Sequence, residues 1–298
     1  MRTDTSHVVD LDGPTHYVDF GGPSDAAPLV AVHGLGGSHA NWLAVAPRLA
    51  EDQCVLAPDL AGHGLTRPDH RATDVDANQR LLDRFLREVS GTPAILMGNS
   101  MGGLISILQA ARHPETVAGL VLLDPAIPSP PGLPDPQVMA NFTSYAVPGL
   151  GAAMLARRRR RLTPEQQVQQ VLDLCCVDPT RVPADVVRRA VELAVQRQSF
   201  EHVDQAFLDA ARSVIRHLAT RGRLLAQMRA VRVPVLLLHG DKDRLVPVGA
   251  ARLAARTLPQ WHVEIAPEVG HVPQLEAADW TVDAYRRWRS SPSVLRAD

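Results

Sequence analysis

Between Pro93 and His113 an apolar run and a helical pattern meet with only Asn99 and Ser100 between them. The run Pro93–Gly98 is apolar throughout, as a strand buried on both faces must be, and Met101–His113 follows a helical period. The junction reads Gly98-Asn99-Ser100-Met101-Gly102, a G-x-S-x-G sequence in the strand–turn–helix setting that this motif requires. Small flanking glycines permit a turn sharp enough to hold Ser100 in a strained conformation, its hydroxyl projecting clear of the sheet. A chain committed to this junction is committed to an α/β architecture.

The rest of the chain repeats the pattern. Pro28–His33, Cys54–Pro58 and Val117–Asp124 read as further buried strands, and Asn41–Glu51 and Val75–Ser90 as helices between them. The alternation stops at Asp124 and resumes with a strand Val233–His239, a helix near Val248–Thr257, a strand near His262–Ala266 and a last helix over Leu275–Arg289. Asp10–Phe20 is expected to form an antiparallel hairpin at the sheet edge. Between the two halves, the Pro-rich stretch Pro125–Pro136 cannot easily be helical, whereas Gln137 to Met228 is helical in period, with starts at Thr163-Pro164-Glu165 and Pro183-Ala184-Asp185. The expected organisation is a core over residues 1–124, a helical cap over 125–230, and the remainder of the core over 231–298.

Composition removes several alternatives. The chain has 298 residues, enough for a large core, and its 45% hydrophobic and 21% charged content is that of a globular protein. With 31 basic and 32 acidic residues the formal net charge is -1, which provides no general attraction to nucleic acid. Met1–Asp10 lacks an apolar stretch of the kind a secretory signal has, and no run approaches the roughly 20 apolar residues of a membrane span. A soluble, cytoplasmic protein without stable membrane insertion is expected. Cys54, Cys175 and Cys176 are too few and too oddly placed for a disulfide framework, and no His or carboxylate spacing beside them suggests a metal. Oligomeric state is not legible.

A serine hydroxyl becomes a useful nucleophile only beside a base. Of twelve histidines, His271 in Glu268-Val269-Gly270-His271 has the right address, a loop after the last strand at the carboxyl edge of the sheet. His33 and His239 also end strands and are read as packing or loop-holding residues. The histidine needs a carboxylate to fix its tautomer. Asp243, in His239-Gly240-Asp241-Lys242-Asp243-Arg244, is preferred; Asp241, nearer the strand, and Asp124, at the end of the previous strand, remain open alternatives. Charge developing on a substrate oxygen needs preorganised donors, and the loop His33-Gly34-Leu35-Gly36-Gly37 offers the Leu35 N–H to converge with that of Met101. His33, Gly34, Asn99 and Val272, neighbours of these groups, are candidate substrate contacts. The Gly-rich loop lacks both G-x-G-x-x-G spacing and a Gly-Lys-Ser/Thr ending, so no nucleotide cofactor or other cofactor is expected.

Taken together, His33-Gly-Leu-Gly-Gly, Asp59-Leu-Ala-Gly-His-Gly-Leu-Thr66, Gly98-Asn-Ser-Met-Gly-Gly103, His239-Gly-Asp-Lys-Asp243 and Gly270-His271 resemble the α/β-hydrolase superfamily over the sheet-forming parts of the chain. The resemblance implies a mostly parallel, eight-stranded sheet flanked by helices, an inserted helical cap, and a serine hydrolase using Ser100, Asp243 and His271. Related epoxide hydrolases and dehalogenases carry an aspartate where Ser100 stands, and the cap has only Tyr145 where epoxide hydrolases use two tyrosines. Hydroxynitrile lyases carry a lysine where Val272 stands. The preferred substrate is a small or medium apolar carboxylic ester. The Gly-Asn-Ser-Met-Gly-Gly segment also resembles carbon–carbon bond hydrolases of ring-cleavage products, the leading alternative, although their usual aromatic after the histidine is replaced by Val272. A non-catalytic ligand-binding member of the fold is the second alternative.

Two features of the cap remain. Arg157–Arg161 is a run of five arginines, read first as a solvated helix face and second as a dock for an anionic membrane or acidic partner. Leu150, Met154, Leu155, Val171, Leu172 and Leu174 have the spacing either to roof an acyl pocket or to form the core of the cap itself.

Overall fold

The computed structural model describes residues 4–130, 135–147 and 149–291. The first three residues of the segment expected to lack a signal, and residues 131–134 of the Pro-rich connector, lie outside them.

Eight strands form one sheet: β1 (Thr5–Asp10), β2 (Pro14–Asp19), β3 (Leu29–Val32), β4 (Val55–Pro58), β5 (Ala94–Asn99), β6 (Val117–Leu123), β7 (Val235–Gly240) and β8 (His262–Ala266). Their order is β1-β2-β4-β3-β5-β6-β7-β8. β2 runs antiparallel to β1 and β4, and all other pairs are parallel. The central strands are buried on both sides, and their alternate residues feed two cores. Leu29, Ala31, Ile95, Met97, Leu236 and Leu238 pack with Trp42 and with Tyr285 and Trp288 of the last helix, Ala278–Arg289. Val30, Val32, Leu96, Leu120 and Leu237 pack on the opposite side. Their partners there are Phe85, from the helix Val75–Phe85, and Ile105 and Leu108, from the elbow helix Met101–Arg112. A period-2 strand can bury both its sets of side chains only when helices cover both faces, which explains the unbroken apolar runs.

The boundaries differ from the sequence reading in four places, each for a local reason. The edge hairpin begins at Thr5 rather than Asp10, because β1 is largely exposed and carries no buried apolar set to mark it. Its turn is built by Asp12 and Gly13, both at positive φ, with the Gly13 N–H donating to Asp10 Oδ1 at 2.8 Å. The segment Asn41–Glu51 is two short turns, His39–Trp42 and Ala46–Leu49, the second starting with Pro47 in its first turn. The segment Val75–Ser90 is helical to Phe85, widens over Leu86–Ser90, and stops at Gly91 in the left-handed conformation. The last helix is preceded by a separate turn, Pro273–Glu276, with a break at Ala277.

Between β6 and β7 the chain inserts the cap helices Pro136–Ala146, Leu150–Arg161, Pro164–Cys175, Ala184–Arg197 and Val203–Ala219. The hydroxyl of Thr163 accepts from the Gln166 N–H at the start of the third, a reciprocal capping box with Pro164 as the first helical residue. A further helix, Arg221–Ala230, buries Leu224 and Met228 in the same core as the elbow helix.

The elbow helix lies directly against β3. A Cβ on Gly102 would sit 2.0 Å from the Val32 carbonyl oxygen and 2.5 Å from that of His33, and one on Gly98 2.6 Å from the Gly102 carbonyl oxygen. All of these are backbone atoms, which cannot move aside cheaply. Gly102→Ala is expected to destabilise the protein by about 3 kcal/mol, the upper range for overpacking. Urea unfolding of the variant checks this, and a loss below about 0.5 kcal/mol would show that the helix can slide away from β3.

Candidate active site

Three strand ends meet at the carboxyl edge of the sheet, and each carries a non-glycine residue at positive φ: Ser100 (54°) after β5, Asp124 (43°) after β6 and Glu268 (53°) after β8. Such conformations persist only where the surroundings enforce them. At Ser100 (ψ −115°) the enforcement is visible. Its N–H donates to the Leu123 carbonyl at 3.0 Å, and its own carbonyl accepts from Leu104 at 3.1 Å and Ala126 at 2.9 Å. Ser100 therefore ends the strand and heads the helix with its side chain turned out of both. Met101 occupies the first helical position, where an N–H has no intrahelical acceptor.

His271 lies opposite, buried, on the loop after β8. Its Nδ1 is 2.7 Å from Asp243 Oδ2. An ionised carboxylate only accepts, so Nδ1 carries the proton and Nε2 is left with its lone pair. The other oxygen of Asp243 accepts the N–H groups of Leu245 (2.8 Å) and Val246 (3.0 Å). Burial pushes the Asp243 carboxyl up, but its favourable electrostatic interaction with His271 and the hydrogen bond from that ring outweigh it and hold the group below the usual carboxylate range.

Of the three acids, Asp243 is the one brought to His271. Asp241 accepts the Glu268 N–H at 2.7 Å and so fastens the turn before the histidine. Asp124 is fully buried; its Oδ1 accepts the Gly240 N–H at 2.9 Å, while its Oδ2 meets no N–H and faces Asp243. Burial and the neighbouring Asp243 charge push the Asp124 carboxyl well above the usual range, so it stays protonated beside the ionised Asp243. His239 Nε2–H donates to the Val246 carbonyl at 2.8 Å, and burial keeps this ring neutral.

The glycine-rich loop after β3 closes the site. A Cβ on Gly34 would lie 3.2 Å from both Ser100 Cβ and Asn99 Oδ1, so the Gly34–Leu35 peptide lies beside the serine. His33 holds the loop rather than facing outward: Nδ1–H donates to the Gly34 carbonyl at 2.8 Å and Nε2 accepts the Leu60 N–H at 3.1 Å. Burial pushes its pKa down to about 4, which keeps this neutral tautomer. The Asn99 amide donates to the carbonyls of Leu123 and His271, both at 3.0 Å, which ties the elbow to the histidine loop. Val272 is buried among Leu172, Cys176, Val182 and Val186 of the cap. Over Leu35, the cap contributes Phe207, Tyr145 and Leu208, with Met154 and Leu155 beside them. Leu150 and Val171 are exposed, and Leu174 is half-buried. Within the arginine run, Arg159 pairs with Asp204 and Arg158 donates to the Gln167 carbonyl, while Arg157, Arg160 and Arg161 are exposed.

Three features were not singled out from sequence. Arg197 of the cap reaches down to donate to the carbonyls of Gly62 and Gly64. Glu276 is treated below. Asp59, at the end of β4, is fully buried and accepts the His39 N–H (2.7 Å), the Leu65 N–H (2.8 Å), and the rings of His16 (2.8 Å) and His39 (2.9 Å). Burial would raise its pKa, but these partners hold it far below the usual carboxylate range. The motif that contains Asp59 was visible, but not that its role is to anchor the turn beneath the glycine-rich loop. Asp59 with His16 and His39, and Asp124 with His239 and Asp243, are the groupings spaced like metal ligands among the described residues. In the first, the hydrogen bonds just given already engage both oxygens of Asp59. The Cys175 thiol, pushed up to about 12 by burial and by Asp243, is no rival nucleophile.

The Asn99 amide joins the histidine loop to the residue before Ser100, and the His271 ring is paired with Asp243. A family model described as the alpha/beta hydrolase fold matches residues 27–278. Lipase 1 of Psychrobacter immobilis is 30% identical over 266 residues, covering 88% of this chain and 77% of the lipase. The 2-hydroxymuconate semialdehyde hydrolase of Pseudomonas sp. (strain CF600) is 29% identical over 262 residues, covering 84% of this chain and 82% of that enzyme. The crystal structure of a bacterial membrane phospholipase A superposes with a TM-score of 0.73 at 27% identity, covering 97% of this chain and 87% of that one.

Asp59 is expected to stabilise the fold. Because its folded pKa is depressed, its contribution is present above the unfolded value near pH 4 and is lost as pH falls below that. Asp59→Asn should lose about 3 kcal/mol at pH 7, the cost of breaking a buried charged pair. The gap from wild type should narrow in unfolding curves taken below pH 4; a gap independent of pH would mean the carboxylate charge is not what stabilises.

Proposed function

Since this chain belongs to the α/β-hydrolase fold family, we propose that it is a serine hydrolase that cleaves carboxylic esters of small or medium apolar substrates through an acyl-enzyme on Ser100. The observation that carries the reading is the 2.7 Å bond from His271 to Asp243 beside a serine held at φ 54°. Ser100 Oγ attacks the ester carbon as His271 Nε2 takes its proton. The oxyanion that forms is stabilised by the N–H groups of Leu35 and Met101. Collapse returns the proton to the departing alkoxide, which leaves as alcohol, and water activated by the same imidazole then releases the acid.

The wall over the oxyanion loop supports an apolar acyl group: Phe207 lies 3.1 Å from where a Cβ on Gly36 would be, and Tyr145 packs against Phe207 with ring centroids 5.3 Å apart. The likeness to 2-hydroxymuconate semialdehyde hydrolase favours a second reading, hydrolysis of a carbon–carbon bond in a vinylogous diketo acid. Such a substrate brings a carboxylate that an apolar roof leaves unpaired. Arg197, a mostly buried arginine of the cap, uses its terminal nitrogens on the Gly62 and Gly64 carbonyls, and Arg212 spends its Nε on the Tyr145 carbonyl and faces Asp209, so the ester reading is preferred. No helix among the described residues is long and apolar enough to cross a membrane.

Ser100→Ala should abolish both ester turnover and fluorophosphonate labelling without lowering the melting temperature; labelling that survives would place the nucleophile elsewhere. Asp243→Asn should lower kcat by about ten-thousandfold, the size of the tautomer effect, while Asp241→Asn costs far less. On p-nitrophenyl esters, each added acyl methylene should raise kcat/KM by at most about fourfold, from ~0.8 kcal/mol of burial, until the roof is filled. A vinylogous diketo acid turned over faster than every ester of the series would overturn the ester reading.

A further inference from the structure

The main chain of His271 is held from outside its own loop. Its N–H donates to the carbonyl of Cys175, the last residue of the cap helix Pro164–Cys175, at 2.6 Å, and its carbonyl accepts from the Asn99 amide at 3.0 Å. The preceding residue is held in the same way. The Gly270 N–H donates to Glu276 Oε2 at 2.7 Å, and Glu276 Oε1 accepts the N–H groups of Val177 (2.9 Å) and Asp178 (2.8 Å), which follow the same cap helix. The Glu276 side chain is fully shielded from water. The fit is tight: a Cβ on Gly270 would lie 2.2 Å from the Cys175 carbonyl oxygen. Arg181, also of the cap, donates to the Glu268 carbonyl at 2.7 Å and lies 3.8 Å from Glu276 Oε1. One buried carboxylate thus gathers three backbone donors, two from the cap and one from the residue before the histidine.

We propose that Glu276 is a positioning residue for His271: by clamping Val177–Asp178 of the cap to Gly270, it makes the seating of this part of the cap and the placement of the imidazole a single event. The proposal deepens the serine-hydrolase reading and rests on it. A glutamine at 276 keeps the shape but replaces one acceptor oxygen with an NH2 that must face an N–H donor, leaving buried donors unsatisfied. The histidine loop then shifts relative to Ser100, and a displacement of about 1 Å in such a group costs on the order of a hundredfold in rate.

The test compares Glu276→Gln with wild type on a p-nitrophenyl ester, with kcat expressed per fluorophosphonate-titrated site. The expected result is a kcat lower by about 10²-fold with KM within about twofold, and a shifted or lost downfield proton NMR signal of the His271 Nδ1–H bonded to Asp243. In an Asp243→Asn background the same change should cost far less, because both act through one imidazole. A lower melting temperature with kcat per site and the NMR signal unchanged, or a full hundredfold loss added on top of Asp243→Asn, would reduce Glu276 to a structural residue and overturn the proposal. Should Glu276→Gln fail to fold, Glu276→Asp, which keeps the charge and shortens the reach by one methylene, is expected to show the same kcat loss in milder form, and an unchanged kcat and NMR signal there overturns the proposal equally. The NMR signal reports the placement of His271 whatever the substrate. If wild type neither takes the phosphonate nor turns over esters, the serine-hydrolase reading fails on its own, while the NMR comparison still decides whether Glu276 positions the histidine.

Discussion

The contact on which the rest of this structure depends is between two backbones: the elbow helix at Gly102 against the carbonyls of Val32 and His33. Side-chain packing tolerates substitution because rotamers can adjust, but a peptide oxygen in a sheet cannot. This contact sets the depth at which the helix sits, and so where Ser100 emerges. It also brings the end of β3, with Gly34, to the serine, because the helix can lie so low only when β3 is its neighbour. Sheet order, the turn at Ser100 and the location of the donor loop are consequences of one close approach.

The electrostatics of the site follow from its burial. Two carboxyl groups, Asp124 and Asp243, face each other beyond the reach of water, and they cannot both be ionised there. The charge stays on Asp243, which has the His271 imidazole and two backbone N–H groups to stabilise it, and the proton stays on Asp124, which has the Gly240 N–H alone. The neutral neighbour helps Asp243 in its turn, since it spares the carboxylate the repulsion of a second buried charge.

What was legible in the sequence is what depends on local pattern. The buried strands announce themselves as apolar runs, and the G-x-S-x-G junction, the histidine after the last strand and the cap helix starting at Thr163-Pro164 are signals within a few residues. The exposed strand Thr5–Asp10 was only partly legible because it has no inward face to create alternation. Of the cap residues whose spacing allowed either a roof or a cap core, Met154 and Leu155 lie beside the wall over Leu35 with Phe207 and Tyr145, Leu172 joins a core of the cap, and Leu150 and Val171 are exposed. Period separates one face of a helix from another, but not which of two faces meets the core. Glu276 left no signal at all, because the groups it binds are peptide N–H groups, two of them 98 and 99 positions away, and every non-proline residue has one.

The left-handed residues at the ends of β5, β6 and β8 have a consequence for how the chain can change over time. Conformations of this kind cost on the order of 1–3 kcal/mol each, against a net stability of about 5–15 kcal/mol for a folded domain. Held at three positions, that cost is comparable to the net margin itself, whatever the substrate. Substitutions in the distant helices draw on the remainder, so tolerance to mutation is set at the strand ends even for residues that never come near them. A lineage exploring new substrates through its cap would therefore need its core strengthened first.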